Sequence, residues 1–404
     1  MRPTRAAPAT RSEGSEVALK IGKGAEAPPF IVMDIIAAAN RRESSRAPGD
    51  PRTIRMEVGQ PGTGAPSGAV AAAMRALESG HTLGYTEIFG LPSLRARISR
   101  HYADWYGANV PPSRIAVTVG ASGGFPLAFL SAFDPGDGVA MAAPFYPPYA
   151  NILTALGMRP LLLECDATTR FQPTVAMLEK LDPLPAGLLV ASPCNPAGTM
   201  LHADEFAALG AWCAANGVRL ISDEIYHGLQ YEGALSTAAT MPDAIVVNSF
   251  SKYWSMTGWR VGWMVLPEAL IRPVERLAAN LFISAPQISQ VAAEAAMECG
   301  PECEANKAAY ARSRALLLQE LPRAGFDRLS PAEGAFYLYA DVSALSNDSE
   351  QFCQRMLAEC GIAATPGIDF DRARGRKFVR FSYCGPEAEM AEAAARLKAW
   401  RGGA

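Results

Sequence analysis

Charge of either sign is in short supply in this chain. Lys and Arg number 37 against 40 Asp and Glu, a formal net charge of −3, and charged residues make up 19% of the sequence. A balance so close to neutral gives no reason to expect nucleic acid or an anionic membrane as a partner. A charged fraction below the usual ~25% implies that much of the chain is interior or interface. Histidine is scarcer still, with four in all and none after His227. The eight cysteines (Cys165, Cys194, Cys213, Cys299, Cys303, Cys353, Cys360 and Cys384) are scattered. Only Cys299 and Cys303 lie close together, and no His/Cys pair completes a zinc site. With no apolar signal segment ahead of them, they read as structural thiols of a cytoplasmic protein. Uninterrupted apolar runs are also missing. The uncharged stretches 115–133 and 138–158 are broken by Gly120, Gly123, Gly124 and Pro126, and by Pro144, Pro147, Pro148 and Asn151. A lipid-exposed helix needs ~20 apolar residues with its backbone bonds intact. These stretches therefore read as strand–turn–helix pieces of a buried sheet, in a soluble protein.

The length of 404 residues fits two or three domains, or one large α/β unit with an appendage, and needs no staples to complete a core. Residues 1–25 mix Arg, Ala, Pro, Ser, Gly and Glu without periodicity and read as a mobile leader. Its arginines raise a transit-peptide reading that Glu13 and Glu16 oppose. Ile31, Ile35 and Ile36 then recur at helical spacing up to about Asn40. A short strand is expected over 52–58, a Gly/Pro loop over 59–66, and a helix from Ser67 to about Ser79. Seven apolar runs come next, at 114–119, 139–143, 160–163, 188–191, 219–222, 244–248 and 261–266. Several lack polar alternation, as strands buried on both faces do. Interleaved helices imply right-handed crossovers and an α/β fold with a mostly parallel, doubly wound, seven-stranded sheet. The last run succeeds its predecessor closely enough to be antiparallel. From about Gln287 a long helical region runs to Leu321, succeeded by strand (335–340), helix (351–359), strand (377–382) and helix (386–400). This α+β appendage should pack with the N-terminal helix. The expected division is a large domain over 61–299 and a small one over 26–60 plus 300–404.

In an open parallel sheet, ligands sit at the carboxyl ends of the strands. There the sequence places Gly120-Ala121-Ser122-Gly123-Gly124, then Pro144-Phe145-Tyr146, then Ser192-Pro193-Cys194-Asn195-Pro196-Ala197-Gly198-Thr199. Asp223, Glu224 and Tyr226 come after these, then Ser249-Phe250-Ser251-Lys252, with Arg260 eight residues beyond the lysine. Together these form a phosphate-type cradle, an aromatic plate, an amide, a carboxylate, a phenol and an amine, able to surround a charged, phosphorylated, aromatic cofactor.

This ordered set, with Leu83-Gly84-Tyr85-Thr86 and Gly-Trp-Arg-Val-Gly-Trp after the lysine, resembles the class I/II aminotransferases, fold-type-I enzymes dependent on pyridoxal 5'-phosphate. The resemblance spans about residues 28–400, and it implies a role for each of these residues. Lys252 matches the Schiff-base lysine, an amine that can also move protons. Asp223 matches the carboxylate that keeps the pyridine nitrogen protonated. Asn195 and Tyr226 match the groups bonding the ring's phenolic oxygen, and Tyr146 the aromatic stacked on its face. The Ala121 and Ser122 N–H groups, Ser249 and Arg260 match the phosphate site. Tyr85 matches a tyrosine that reaches the phosphate of a neighbouring subunit, implying a homodimer with shared active sites. Arg380 matches the arginine that binds the substrate carboxylate, and Gly59 the residue whose backbone approaches it. Cis bonds before Pro144 and Pro196 are expected on the same basis.

Rival readings stand beside this one. Gly120-Ala121-Ser122-Gly123-Gly124 is formally a G-x-S-x-G elbow, so a serine hydrolase using Ser122 is an alternative, but the late histidine that fold needs is missing. A pyridoxal-phosphate-sensing transcription regulator needs a DNA-binding module longer than residues 1–25. Within the fold, β-lyases, decarboxylases and synthases share nearly all these residues. The segment Asn280–Pro286 lacks the second arginine of dicarboxylate-specific relatives, and Pro29, Phe30 and Ile31 should lie near the site's mouth. A neutral hydrophobic or aromatic amino donor is expected, with 2-oxoglutarate or pyruvate as acceptor.

Overall fold

The computed structural model describes residues 19–80 and 82–402, so most of the expected leader lies outside the described residues. Its last part is exposed and forms a short 3-10 turn, Lys23–Glu26. The strands are β1 (Ile54–Arg55), β2 (Ile115–Thr118), β3 (Gly138–Ala143), β4 (Arg159–Glu164), β5 (Gly187–Ala191), β6 (Arg219–Asp223), β7 (Ile245–Ser249), β8 (Gly262–Val265), β9 (Arg328–Leu329), β10 (Tyr337–Asp341), β11 (Ile362–Ala363), β12 (Thr365–Pro366) and β13 (Phe378–Ser382). The helices are α1 (Val32–Ser44), α2 (Ser67–Glu78), α3 (Pro92–Tyr106), α4 (Gly120–Ala132), α5 (Pro148–Ala155), α6 (Val175–Leu178), α7 (Ala203–Asn216), α8 (Glu268–Leu281), α9 (Gln287–Ala296), α10 (Gly300–Arg323), α11 (Ser349–Cys360) and α12 (Glu387–Gly402).

All seven expected runs are strands of one seven-stranded sheet, ordered β2-β8-β7-β6-β5-β3-β4. β8 is antiparallel to both neighbours, and the other pairs are parallel. The strands are mostly apolar because helices cover both faces: every residue of interior strands β7 and β8, and of edge strand β2, is buried. β4, at the edge, is half exposed and tolerates Pro160, whose missing N–H costs nothing where no further strand pairs. Ala191, Asp223 and Val247 are level on β5, β6 and β7. This register makes the segments leaving these three strands emerge side by side.

The second sheet is antiparallel in the order β12-β13-β10-β9, and β1 pairs in parallel with β11. Residues from both chain ends thus share one layer. The helical region expected from Gln287 to Leu321 is two helices, α9 and α10, interrupted at Met297–Cys299. Gly300-Pro301 explains the break: proline has no N–H to continue α9, but fits the first turn of α10. All eight cysteines are free thiols. Among the described residues no His/Cys/Asp/Glu group could hold a metal ion, and no helix is long and apolar enough to cross a membrane.

Candidate active site

The carboxyl ends of β5, β6 and β7 open onto a cavity of about 410 Å³. Asp223 ends β6 and sits on its wall, 3% exposed. One carboxylate oxygen accepts from the Ile225 N–H at 3.0 Å, and the other from the Tyr149 hydroxyl. Burial pushes this carboxyl up to about 6, against the opposing pull of Tyr149, the Ile225 N–H and the Lys252 charge. Lys252, three residues after β7, donates from Nζ to the Gly59 carbonyl at 2.6 Å. Burial brings its ammonium down to about 8, although Cys384 and Asp223 pull the other way.

Tyr226 and Asn195 line the same cavity. The Tyr226 hydroxyl lies 2.7 Å from that of Tyr337. Asn195 reaches the cavity from the turn after β5, which holds cis bonds before Pro193 and Pro196; the bond before Pro144 is also cis. Tyr146 meets Phe30 edge-to-face at 5.9 Å and Tyr149 at 5.3 Å. Arg380 rises from the middle of β13, 4% exposed. Its Nη1 donates to Asn195 Oδ1 at 2.8 Å, and its Nη2 to Thr365 Oγ1 at 3.2 Å and to the Glu57 carbonyl. Its Nε has no partner, leaving a buried donor unspent within the protein. The guanidinium lies 4.4 Å from the Tyr337 ring centre and 4.7 Å from that of Phe370.

At the other end of the cavity α4 begins. Ala121 and Ser122 line the wall, where free N–H groups and the helix dipole favour an anion. Arg260 stands beside them, its Nη2 3.4 Å from Ser122 Oγ and its Nη1 donating to the Thr257 carbonyl at 2.8 Å. Gly120 has φ +67°, and a Cβ there would meet Arg260 Nη2 at 2.7 Å, so glycine keeps the guanidinium against the helix start.

Two expected contacts lie elsewhere. The Ser249 hydroxyl is turned to Ser251 Oγ at 2.8 Å and the Val261 carbonyl at 3.3 Å, and does not line the cavity. Tyr85 is 82% exposed and contributes nothing to this chain's own cavity. Ser122 finds no hydrolase partner among the described histidines. His227 is bonded to Tyr106 and the Ser192 carbonyl, His101 is packed among aromatic rings, and His202 caps α7.

Sequence reasoning missed Tyr149 and Tyr337. Tyr149 is in the first turn of α5, three residues past Tyr146, and its N–H donates to the Tyr146 carbonyl at 3.1 Å, a turn that brings the two rings together. Tyr337 and Tyr339 alternate along β10, the period-two signal of one strand face. Asp369 was missed too: its carboxylate accepts from the Ile31 and Val32 N–H groups at 2.8 and 3.1 Å.

The donor set is complementary to pyridoxal phosphate. A buried carboxylate suits a pyridinium, a buried amine of lowered basicity suits an aldehyde, and a helix start with an arginine suits a phosphate. A sequence profile described as aminotransferase class I and II matches residues 51–397. The valine–pyruvate aminotransferase of Mycobacterium tuberculosis is 49% identical over 389 residues, 95% of this chain and 98% of that one. The crystal structure of an aminotransferase from the same organism has a TM-score of 0.92 at 48% identity, covering 96% of this chain and 100% of that one. The aspartate aminotransferase from Thermus thermophilus with maleate has a TM-score of 0.87 at 28% identity, covering 95% and 100%. Sequence and architecture agree over nearly the full length, and the chain belongs to the class I and II aminotransferases, using pyridoxal phosphate to move an amino group between an amino acid and a 2-oxo acid.

Proposed function

We propose that the amino donor is a neutral, hydrophobic L-amino acid and the acceptor pyruvate or 2-oxoglutarate. The observation that carries this reading is the composition of the cavity wall. The cations that line it are Lys252 and Arg380, and the same lining includes Phe30, Val32, Met33, Ile36 and Ile152. Arg380 serves the α-carboxylate through its fork. A side-chain carboxylate would find no further cation on this wall, whereas an aliphatic side chain gains ~1.5–3 kcal/mol on leaving water. The relative named for valine and pyruvate supports the same choice.

The residue roles derive from position. Bound pyridoxal phosphate supplies an aldehyde that takes up the amino group and a ring that accepts electrons released at the substrate Cα. Asp223 would hold the positive charge of the ring nitrogen. Asn195 and Tyr226 would hold the phenolic oxygen, and Tyr146 would supply an aromatic surface for the ring. Ala121, Ser122 and Arg260 would hold the phosphate, whereas the Ser249 hydroxyl is spent on Ser251 and the Val261 carbonyl. Lys252 would hold the aldehyde through Nζ, and its free amine would carry the proton. Gly59 accepts from that Nζ, and its missing side chain makes space for the tip of Tyr337.

The division into a large domain over 61–299 and a small one over 26–60 plus 300–404 is part of the proposal, as is a homodimer in which Tyr85 serves the neighbouring site. Eight free thiols suit a cytoplasmic setting. The test is to add amino acids singly to the purified holoenzyme and follow its visible absorbance together with 2-oxo acid release. Valine, leucine or isoleucine should spend the band at concentrations at least ~10-fold below aspartate. Faster conversion by aspartate overturns the donor class, and no conversion by any amino acid overturns transamination.

A further inference from the structure

Tyr337 takes part in three contacts at once, and each uses a different part of the side chain. It is 1% exposed and lines the cavity from β10. Its hydroxyl oxygen lies 2.7 Å from the Tyr226 hydroxyl oxygen, a link between β10 and the turn after β6. Its ring face carries the Arg380 guanidinium at 4.4 Å. Its tip also fills the space beside Gly59, where an added Cβ would come within 1.7 Å of the hydroxyl oxygen.

Proton counting gives the bond a direction. Each tyrosine hydroxyl has one hydrogen and can also accept. Tyr337 OH has Tyr226 as its hydrogen-bond partner, and Gly59 leaves no room for another group beside it. If Tyr226 points its own hydrogen at a ligand in the cavity, its oxygen must accept from Tyr337. A donor that is itself receiving a hydrogen bond is polarised and gives its proton more strongly to an anionic acceptor. The cation over the Tyr337 ring acts in the same sense, making Tyr337 the better donor.

We propose that Tyr337 is a positioning residue with two functions: its hydroxyl fixes and polarises the Tyr226 phenol, and its ring holds the Arg380 guanidinium in place for the substrate carboxylate. One side chain thereby ties the cofactor-facing phenol to the carboxylate-binding arginine. The inference rests on the proposed placing of Tyr226 toward the bound cofactor.

Three variants of the holoenzyme separate the parts. The first readout is the pH midpoint of the visible absorbance. Hydrogen bonding to an anionic oxygen favours its unprotonated form, so losing it raises the midpoint. Tyr226→Phe should raise the midpoint. Tyr337→Phe, which keeps the ring, should raise it by about 0.3 pH unit, and the double variant should add nothing beyond Tyr226→Phe. The second readout is KM for the amino donor. It should stay within about twofold in Tyr337→Phe and rise about tenfold in Tyr337→Leu, with kcat changing less. Tyr337→Met takes the place of Tyr337→Leu should the latter not fold. A Tyr226→Phe midpoint that does not move overturns the placing of Tyr226, and this inference with it. A midpoint that moves in Tyr226→Phe but not in Tyr337→Phe, or shifts that add in the double variant, overturns the hydroxyl function alone. An unchanged KM without the ring overturns the Arg380 function.

Discussion

At the scale of single residues, burial drives the two titrating groups of the cavity toward neutrality. The Asp223 carboxyl is raised to about 6 and the Lys252 ammonium lowered to about 8. For the lysine the consequence is kinetic. Below about pH 8 the amine is protonated and cannot attack an aldehyde; above it the free amine predominates. The rate at which apo-protein regains visible absorbance on adding pyridoxal phosphate should climb up to about pH 8 and then level off. A rise continuing to pH 10, where an ordinary lysine titrates, would show that burial does not act this way. Lys252→Ala should abolish the absorbance that depends on the bond to lysine and lower kcat by at least ~10³-fold. Gly59 carries a purely spatial constraint. In Gly59→Ala the new methyl lands 1.7 Å from the Tyr337 hydroxyl oxygen, so the tyrosine or the Gly59 carbonyl that receives Lys252 must move. The expected cost is ~1–3 kcal/mol in stability, read by thermal unfolding. A loss of more than ~10-fold in kcat/KM should accompany it, since small displacements at a reacting centre are expensive.

At the scale of elements, α1 shows how a wall of the cavity is held by a distant segment. The residue before α1 is Ile31, which has no side chain to cap the helix. The cap comes instead from Asp369, which accepts from the Ile31 and Val32 N–H groups. Since α1 and its lead-in carry Phe30, Val32, Met33 and Ile36 into the cavity, removing the cap should loosen the apolar wall while sparing the chemistry. Asp369→Ala is expected to cost ~1 kcal/mol in thermal stability. It should raise KM for branched aliphatic donors about fivefold, leaving kcat nearly unchanged; an equal fall in kcat would place Asp369 nearer the reaction. This helix also marks what the residues reveal by themselves. Ile31, Ile35 and Ile36 announce it through their spacing, but nothing links them to a residue 338 positions away. The large sheet was legible strand by strand because burial on both faces leaves continuous apolar runs. Lys252, Asp223, Asn195 and Tyr226 were legible because strand ends in such a sheet converge. Tyr149, Tyr337 and Asp369 were not, because their partners are set by packing between segments far apart in the chain.

At the scale of the whole molecule, the shortage of charge in the sequence meets a surface that is apolar in places. Met74 and Leu77 on α2 are 54% and 64% exposed, and Tyr85, Leu281, Phe282 and Ile283 are exposed as well. The last group is joined locally, since the Thr86 N–H donates to Ser284 Oγ at 3.3 Å. Exposed apolar side chains that cluster mark interaction surfaces, and the proposed homodimer would cover these. On the proposed homodimer, replacing both Met74 and Leu77 by Glu should give monomers in light scattering and lower activity. The position of Tyr85 sharpens the point, because it stands outside its own chain's cavity. If Tyr85 acts in the neighbouring site, Tyr85→Ala and Lys252→Ala each damage a different half of the shared machinery. A hybrid dimer then has one site with both defects and one with neither. Co-expression of the two variants should restore roughly a quarter of wild-type activity, half of the dimers being hybrids with one intact site each. If Tyr85 instead served its own chain, every site of every hybrid would carry one defect. Activity after co-expression would then be no more than the mean of the two variants.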